Sequence, residues 1–259
     1  MEPRWAIALI GGSAAVAAAA ALLAPPIPQD PAYHRLVDSR VLLGIPNALN
    51  VLSNAAFVLV GALGLHFALG VRSGPDAAFQ ETRERWPYVV FFGGLLLTGF
   101  GSAYYHWEPG NARLAWDRLP LAITVIGLLD ATISDRVGLR PALWLLAPLA
   151  ALAVFSVGYW HVTEQRGAGD LRLYALVQFY PIVAVPLLLW LLPARYTRGT
   201  DLLAAAATYA LAKVPELLDA WVFALTRVVS GHTLKHLLAA LAGYWVLRML
   251  KQRRPTRGI

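Results

Sequence analysis

Apolar residues fall along the chain in eight long blocks, at about 5–24, 49–71, 87–106, 118–135, 141–160, 174–192, 202–225 and 232–250. The joints between them are short and rich in Pro and Gly: APPIPQDP, RSGPD, EPGN, GLRP and RGAGD. A membrane-spanning helix needs ~20 mostly apolar residues, because lipid offers the backbone no hydrogen-bond partner. Pro and Gly punctuate the turns. The pattern predicts an all-α polytopic membrane bundle without a separate soluble domain. It divides into an N-terminal span over 1–24, a seven-helix domain over 25–250 and a basic tail over 251–259.

Composition sharpens this class. Hydrophobic residues make up 58% of the 259 and charged residues 14%, against about 45–50% and 25% in a soluble domain. The chain has no cysteine, which excludes disulfides and thiolate metal sites and leaves His, Asp and Glu for any metal. The formal charge of +7 does not point to nucleic acid. Five of the basic residues lie in RMLKQRRPTRGI, which reads as a cytoplasmic, lipid-facing end.

Of the 22 Lys and Arg residues, thirteen fall in the N-terminus, the even-numbered joints and the tail. Seven fall in the odd-numbered joints, and Lys213 and Lys235 lie inside segments. The positive-inside tendency therefore places both termini in the cytoplasm. The first segment also has the look of a signal peptide, although its apolar run is long for one; an uncleaved helix is the expectation. The tryptophans near segment ends, Trp5, Trp86, Trp107, Trp116 and Trp160, fit an interfacial belt.

A few polar residues interrupt this pattern at one depth. The third segment ends in GSAYYH, placing Ser102 and His106 on one helix face at i, i+4. Asp117 follows eleven residues later, at the start of the fourth segment, and the eighth begins SGHTLKH, pairing His232 with His236. By the charge bias, all five lie near the outer membrane face. Three His from two helices suffice for a catalytic zinc with an open fourth position. Asp117 suits a proton shuttle, and Ser102 suits holding a water or donating to an oxyanion.

The pattern S-x3-H, an Asp eleven residues on and a late H-x3-H resembles the alkaline ceramidase family. That family lies within a superfamily of seven-helix membrane hydrolases that includes the adiponectin and progestin receptors. The stretch PNALNVLSNAAFVLVGALGL also resembles the family's first core helix, so the similarity runs over roughly 30–250. The resemblance implies one zinc ion on His106, His232 and His236, with Ser102 and Asp117 beside it. It implies hydrolysis of the amide between a fatty acid and a sphingoid base. Eukaryotic members carry an acidic calcium-binding segment before the first core helix. Here that region, QDPAYHRLVDSRVLLGIPN, offers only Asp30 and Asp38 as carboxylates, which puts calcium in doubt.

Other polar residues carry secondary expectations. Lys213, Glu216 and Asp219 recur every third residue around Pro215 and are expected on one face, turned inward as an ion-pair network or a proton path. Asp130, in mid-segment, is a candidate partner for Lys213. Asn47, Asn50, Ser53 and Asn54 open the second segment and should hydrogen bond between helices; otherwise these residues, Asn50 and Asn54 foremost, support the metal ligands. His34, His66 and His161 are not expected to be ligands. Arg166, Asp170 and Arg172 lie in a joint expected to be solvated, with a lipid headgroup contact as the alternative.

The sequence thus reads as an intramembrane zinc-dependent hydrolase of ceramide-like lipids, its substrate entering from the bilayer, with no obligate protein partner. Three other readings remain open: a hydrolase of another acyl amide or ester lipid, a non-catalytic metal-containing lipid sensor, and a proton-coupled transporter.

Overall fold

A computed structural model describes residues 4–256. The first three residues of the N-terminal segment and the last three of the tail lie outside it. The described residues form helices and joints, with no β-strand and two isolated bridges, Leu42–Ile45 and Tyr196–Pro255. The order is α1 (Arg4–Leu23), α2 (Ala48–Leu52), α3 (Ala55–Gly70), α4 (Arg85–Trp107), α5 (Asn111–Arg136), α6 (Leu139–Gln165), α7 (Arg172–Leu191), α8 (Gly199–Leu211), α9 (Lys213–Leu217), α10 (Asp219–Thr226) and α11 (Gly231–Gln252). Five stretches are long and apolar enough to cross a membrane: Arg4–Leu23, Ala48–Gly70, Thr82–Trp107, Leu139–Gln165 and Arg172–Leu191.

The three remaining apolar blocks take a different form. α5 has 26 residues, ample length at about 1.5 Å each, but it carries Asp117, Arg118, Asp130 and Asp135. α11 has 22 residues and carries two His, Lys235 and Arg248. The block at 202–225 is three short helices, α8 to α10, interrupted at Ala212 and Leu218. Pro215 sits in the middle piece, where it lacks an N–H and its ring crowds the preceding turn. α5 packs on α4, α6 and α7, and α11 on α3, α8 and α9, whereas α9 and α10 bury no residue and expose Leu217, Trp221 and Leu225. A helix walled by protein can carry charge that a lipid-facing helix cannot. The outer helices instead expose large apolar side chains such as Leu23, Trp144 and Trp190.

α1 lies against α7. The Tyr180 hydroxyl donates to the Ile10 carbonyl at 2.9 Å and meets Ser13 Oγ at 3.0 Å. The Arg172 guanidinium caps the end of α1 by donating to the Leu22 and Ala24 carbonyls, and it also pairs with Asp170 at 2.8 Å. The solvated-joint expectation is therefore corrected for Asp170 and Arg172. Their charges are spent on one another and on α1, and the Arg172 hydrogen bonds hold the Asp170 carboxyl below the usual carboxylate range.

Two glycines allow the approaches on which the candidate site depends. A Cβ on Gly101 would run into the Trp116 carbonyl, and one on Gly231 into the Pro215 carbonyl. The first contact lays the end of α4 against the start of α5, beside Ser102 and Asp117. The second seats the start of α11 on the broken segment.

At the far end of α11 the tail turns inward. Arg253 is fully buried. Its Nη1 donates to Asp135 Oδ2 at 2.7 Å and Tyr88 Oη at 2.8 Å, and its Nε to the Ala78 carbonyl at 2.6 Å. The rings of Phe79, Tyr88 and Tyr196 surround it. Arg248 pairs with Asp201 at 2.9 Å. A lipid-facing end is thus corrected at these two residues, because interior carboxylates on neighbouring helices recruit them. Trp160 is also corrected: Trp5, Trp86, Trp107 and Trp116 are exposed, whereas Trp160 is fully buried, against a cation described below.

Candidate metal centre

α4 ends, and α5 and α11 begin, at the same end of the bundle. His106 comes from the last turn of α4, and His232 and His236 from the first two turns of α11. All three are buried, and one nitrogen from each lies within 4.8 Å of the others. The Nε2 atoms of His106 and His232 are 3.1 Å apart, so at most one of them carries a proton.

The local sequence fixes this arrangement. Ser230 caps α11 by accepting from the Thr233 N–H at 3.0 Å. Asn50 Oδ1 then accepts from the hydroxyls of Ser230 and Thr233 at 3.1 and 3.0 Å. Asp219 accepts the His232 N–H at 2.8 Å, one of the orphan donors of a helix start. Asn47 donates to the His106 carbonyl at 2.8 Å, satisfying an orphan acceptor at the end of α4. Asn50 also donates to the Asp38 carbonyl at 3.1 Å. Arg40 pairs with the Asp38 carboxylate at 2.7 Å and holds its pKa below the usual range. Arg40 reaches the Arg227 and Val228 carbonyls as well, tying down the joint before α11.

One tautomer follows from geometry. Ser53 Oγ donates to the Asn50 carbonyl at 3.2 Å and lies 2.8 Å from His236 Nδ1. When that hydroxyl donates to the carbonyl, Ser53 accepts from Nδ1–H, the tautomer that leaves the His236 Nε2 lone pair for the cluster. A hydrogen bond at the far nitrogen is the usual way a ligating His is oriented. His106 Nδ1 is buried without a partner. Three neutral imidazoles with converging lone pairs suit a divalent ion. Tetrahedral coordination at about 2.0–2.1 Å sets ligand nitrogens roughly 3.3 Å apart, close to the 3.1 Å between the Nε2 atoms of His106 and His232 and inside the 4.8 Å that bounds the group.

A cavity of about 960 Å³ opens beside the cluster. Ser102, Asp117 and His236 line it together with Arg118, Lys213, Glu216 and Lys235. Five sequence-selected residues are therefore brought together: the three His, with Ser102 and Asp117 neighbouring one another at the cavity wall. The secondary residues separate. Glu216 is shared by Lys213 at 2.7 Å and Lys235 at 2.9 Å. Asp219 is not on that face, because the break after Leu217 turns it toward His232. Asp130 does not pair with Lys213; it is fully buried on α5, with both carboxylate oxygens unpartnered. Asn54 donates to the Asn50 and Val51 carbonyls, within its own helix turn.

His34 bonds Tyr105 and Asn111, and His161 bonds Gln165; neither they nor His66 join the cluster. Sequence reasoning missed the Lys235 pairing and the placement of Arg118, and it did not separate Ser53, which contacts His236, from the polar residues around it. Lys235 lies between the two His of HTLKH and Arg118 follows Asp117, so both adjacencies were signals. Nothing in the sequence singles Ser53 out from its three polar neighbours.

Fold and site together define a class: a helical membrane protein with a buried three-histidine group able to hold a metal ion. Comparison with models of protein families, with curated proteins and with solved structures finds no match to this chain.

Proposed function

We propose that the chain is an intramembrane zinc-dependent hydrolase that cleaves acyl-amide lipids of the ceramide type into a fatty acid and a long-chain amine. In this reading the bundle has seven core helices and one added N-terminal span, both termini are cytoplasmic, and the metal lies near the outer face. The observation that carries it is a group of three converging imidazoles, one of which, His236, lines a cavity together with Ser102 and Asp117. That cavity adjoins a mostly apolar cleft of about 50 Å³, the two sharing Phe57, Leu121, Gln178, Tyr209 and Ala239, so the cleft holds only a short part of an acyl chain in this conformation. The cleft offers an acyl chain apolar walls, and the polar chamber offers the amide its reacting groups.

His106, His232 and His236 would hold the zinc, which supplies Lewis acidity and a water acidic near neutral pH. Asp117 takes a proton from the attacking water and returns one to the leaving nitrogen. Ser102 donates its hydroxyl hydrogen to the oxygen that gains charge as the carbonyl is attacked. Ser53 holds the His236 imidazole, and Asn47 holds the backbone that carries His106.

The test is fatty acid release by purified protein in detergent from ceramide, phytoceramide and acyl-ester controls, with metal content measured in parallel. Zinc-dependent release that vanishes in His106→Ala is the expected result. About one zinc per chain without release from any lipid would overturn the hydrolase reading and favour a metal-containing sensor. Lipid transport that survives loss of the His would favour a transporter.

A further inference from the structure

Arg118 is a cation in an unusual place. It is 6% exposed and lines the cavity beside Asp117. The rings of Trp160, Tyr174 and Tyr33 lie 4.2, 4.9 and 5.8 Å from its guanidinium carbon. Its Nη2 donates to Gln29 Oε1 at 2.6 Å, while Nη1 is buried with no hydrogen-bond partner. No carboxylate lies within ion-pair distance of it among the described residues. Lys213 and Lys235, across the same cavity, share Glu216. Burying a guanidinium without a counter-ion is costly. Aromatic faces offset part of that cost, yet they leave the in-plane donors of the guanidinium unused.

Position along α5 says which half of a lipid would meet it. The apolar cleft is lined on this helix by Leu121, Val125 and Leu128, so it starts about one turn deeper than Arg118 and runs away from it. Asp117 and Arg118 are consecutive on α5, and the guanidinium reaches toward Gln29 and Tyr33 of the joint after α1 and Tyr174 near the start of α7, none of which lines the cleft. An acyl chain in the cleft that presents its amide to Asp117 therefore extends its amine half toward that joint.

We propose that Arg118 is a specificity-determining residue that holds a carboxylate on the amine half of the substrate, so that acyl amides of amino acids bind in preference to neutral acyl amides. This rests on the hydrolase reading for turnover and shifts its preferred substrate from neutral ceramide to acyl amides with an anionic amine half; the binding it describes does not require turnover.

The experiment measures equilibrium binding of N-palmitoylglycine and of its neutral counterpart N-palmitoylglycinamide to the full-length, zinc-loaded protein in detergent, with fatty acid release from both followed separately. Wild type should bind the carboxylate lipid about tenfold or more tighter, the usual worth of a charge-assisted hydrogen bond. Arg118→Gln should erase the preference, and Arg118→Lys should keep only part of it, because an ammonium lacks the planar fork. Equal binding of the two lipids to wild type overturns the proposal without any variant, so misfolding of Arg118→Gln cannot shelter it. A preference that persists in folded Arg118→Gln overturns it too. Palmitate that competes as well as N-palmitoylglycine and depends equally on Arg118 would move the contact to the released acid and overturn placement on the amine half. Preference without release sinks the hydrolase reading and leaves this inference standing; release without preference does the reverse.

Discussion

The two ends of the bundle each hold a cluster of buried polar side chains carried largely by the same helices. Tyr88 and His106 are on α4, Asp135 and Asp117 on α5, and His232 begins the helix that Arg253 follows. Eighteen to twenty-one helical residues separate the members of each pair, about 27–31 Å at 1.5 Å per residue, close to the thickness of a hydrocarbon core. At the Arg253 end, Asp135, Tyr88 and the Ala78 carbonyl take three guanidinium donors and aromatic rings enclose the side chain, while Nη2 is buried without a partner and faces none of the cavities described. The histidine end stays open. Its ring nitrogens converge on one another, His106 Nδ1 and Arg118 Nη1 lack partners, and a cavity reaches the wall. Buried polar groups normally find partners, so a set that spends its donors on itself reads as a clamp. A set that leaves them facing a cavity reads as a place for something else to bind.

The strongest way to break this contrast is to remove one imidazole. His232→Ala should cut zinc occupancy to below about a tenth of a chain equivalent and reduce turnover beyond detection, because two ligands hold a catalytic zinc poorly. Helicity should persist, since α11 is still anchored by Ser230, Asn50 and Asp219. Metal analysis with circular dichroism reads both. Full zinc content in the variant would sink the assignment of the three-histidine group.

Asp135→Ala is the matching cut at the other end, and its effect should be on stability. Leaving Arg253 buried without its carboxylate should cost about 3–5 kcal/mol, read as a fall in thermal midpoint. Zinc per folded chain should be unchanged. Loss of zinc in proportion to lost turnover, at unchanged stability, would mean that the two ends are not separable in this way.

Much of this contrast was legible in the sequence at the histidine end and little at the other. Helical spacing alone puts Ser102 with His106 and His232 with His236 on common faces, and the alternation of apolar blocks sets them at one depth. Those are local rules, and they held. Arg253 and Asp135 are far apart in sequence with no periodic relation, so nothing local announces the pair. The same limit explains the Asp130–Lys213 pairing that does not form and the wrong face for Asp219. A period of three was laid over 213–219 with a kink expected at Pro215, whereas the turn at Leu218 divides the segment again and swings Asp219 away. It also explains why Ser53 was not told apart from Asn47, Asn50 and Asn54. Polar residues at i, i+3 and i+4 look equivalent until the helix they face is known.

Ser53→Ala gives a smaller cut within the open end. The His236 ring loses its Nδ1 partner but keeps its edge contact with Phe57. Outer hydrogen bonds to ligating His typically contribute 10–100-fold in metal affinity. Zinc competition against a calibrated chelator should therefore show a loss of about that size with the fold intact. An unchanged affinity would mean that packing alone orients His236.

The smallest expected effect is at Asp130, where the contrast is most exposed to error. Asp130 is as unsatisfied as anything at the histidine end, yet it lines none of the cavities described, so lack of partners and access to a ligand part company here. If the open end works because its free groups face a cavity, Asp130→Asn should leave zinc content unchanged and turnover within about twofold. An amide of the same shape buries no charge, so stability should hold or rise slightly. A tenfold loss of turnover with zinc retained would show instead that an unpartnered carboxyl between the two ends takes part in moving protons, and that cavity access is the wrong criterion for telling a clamp from a working site.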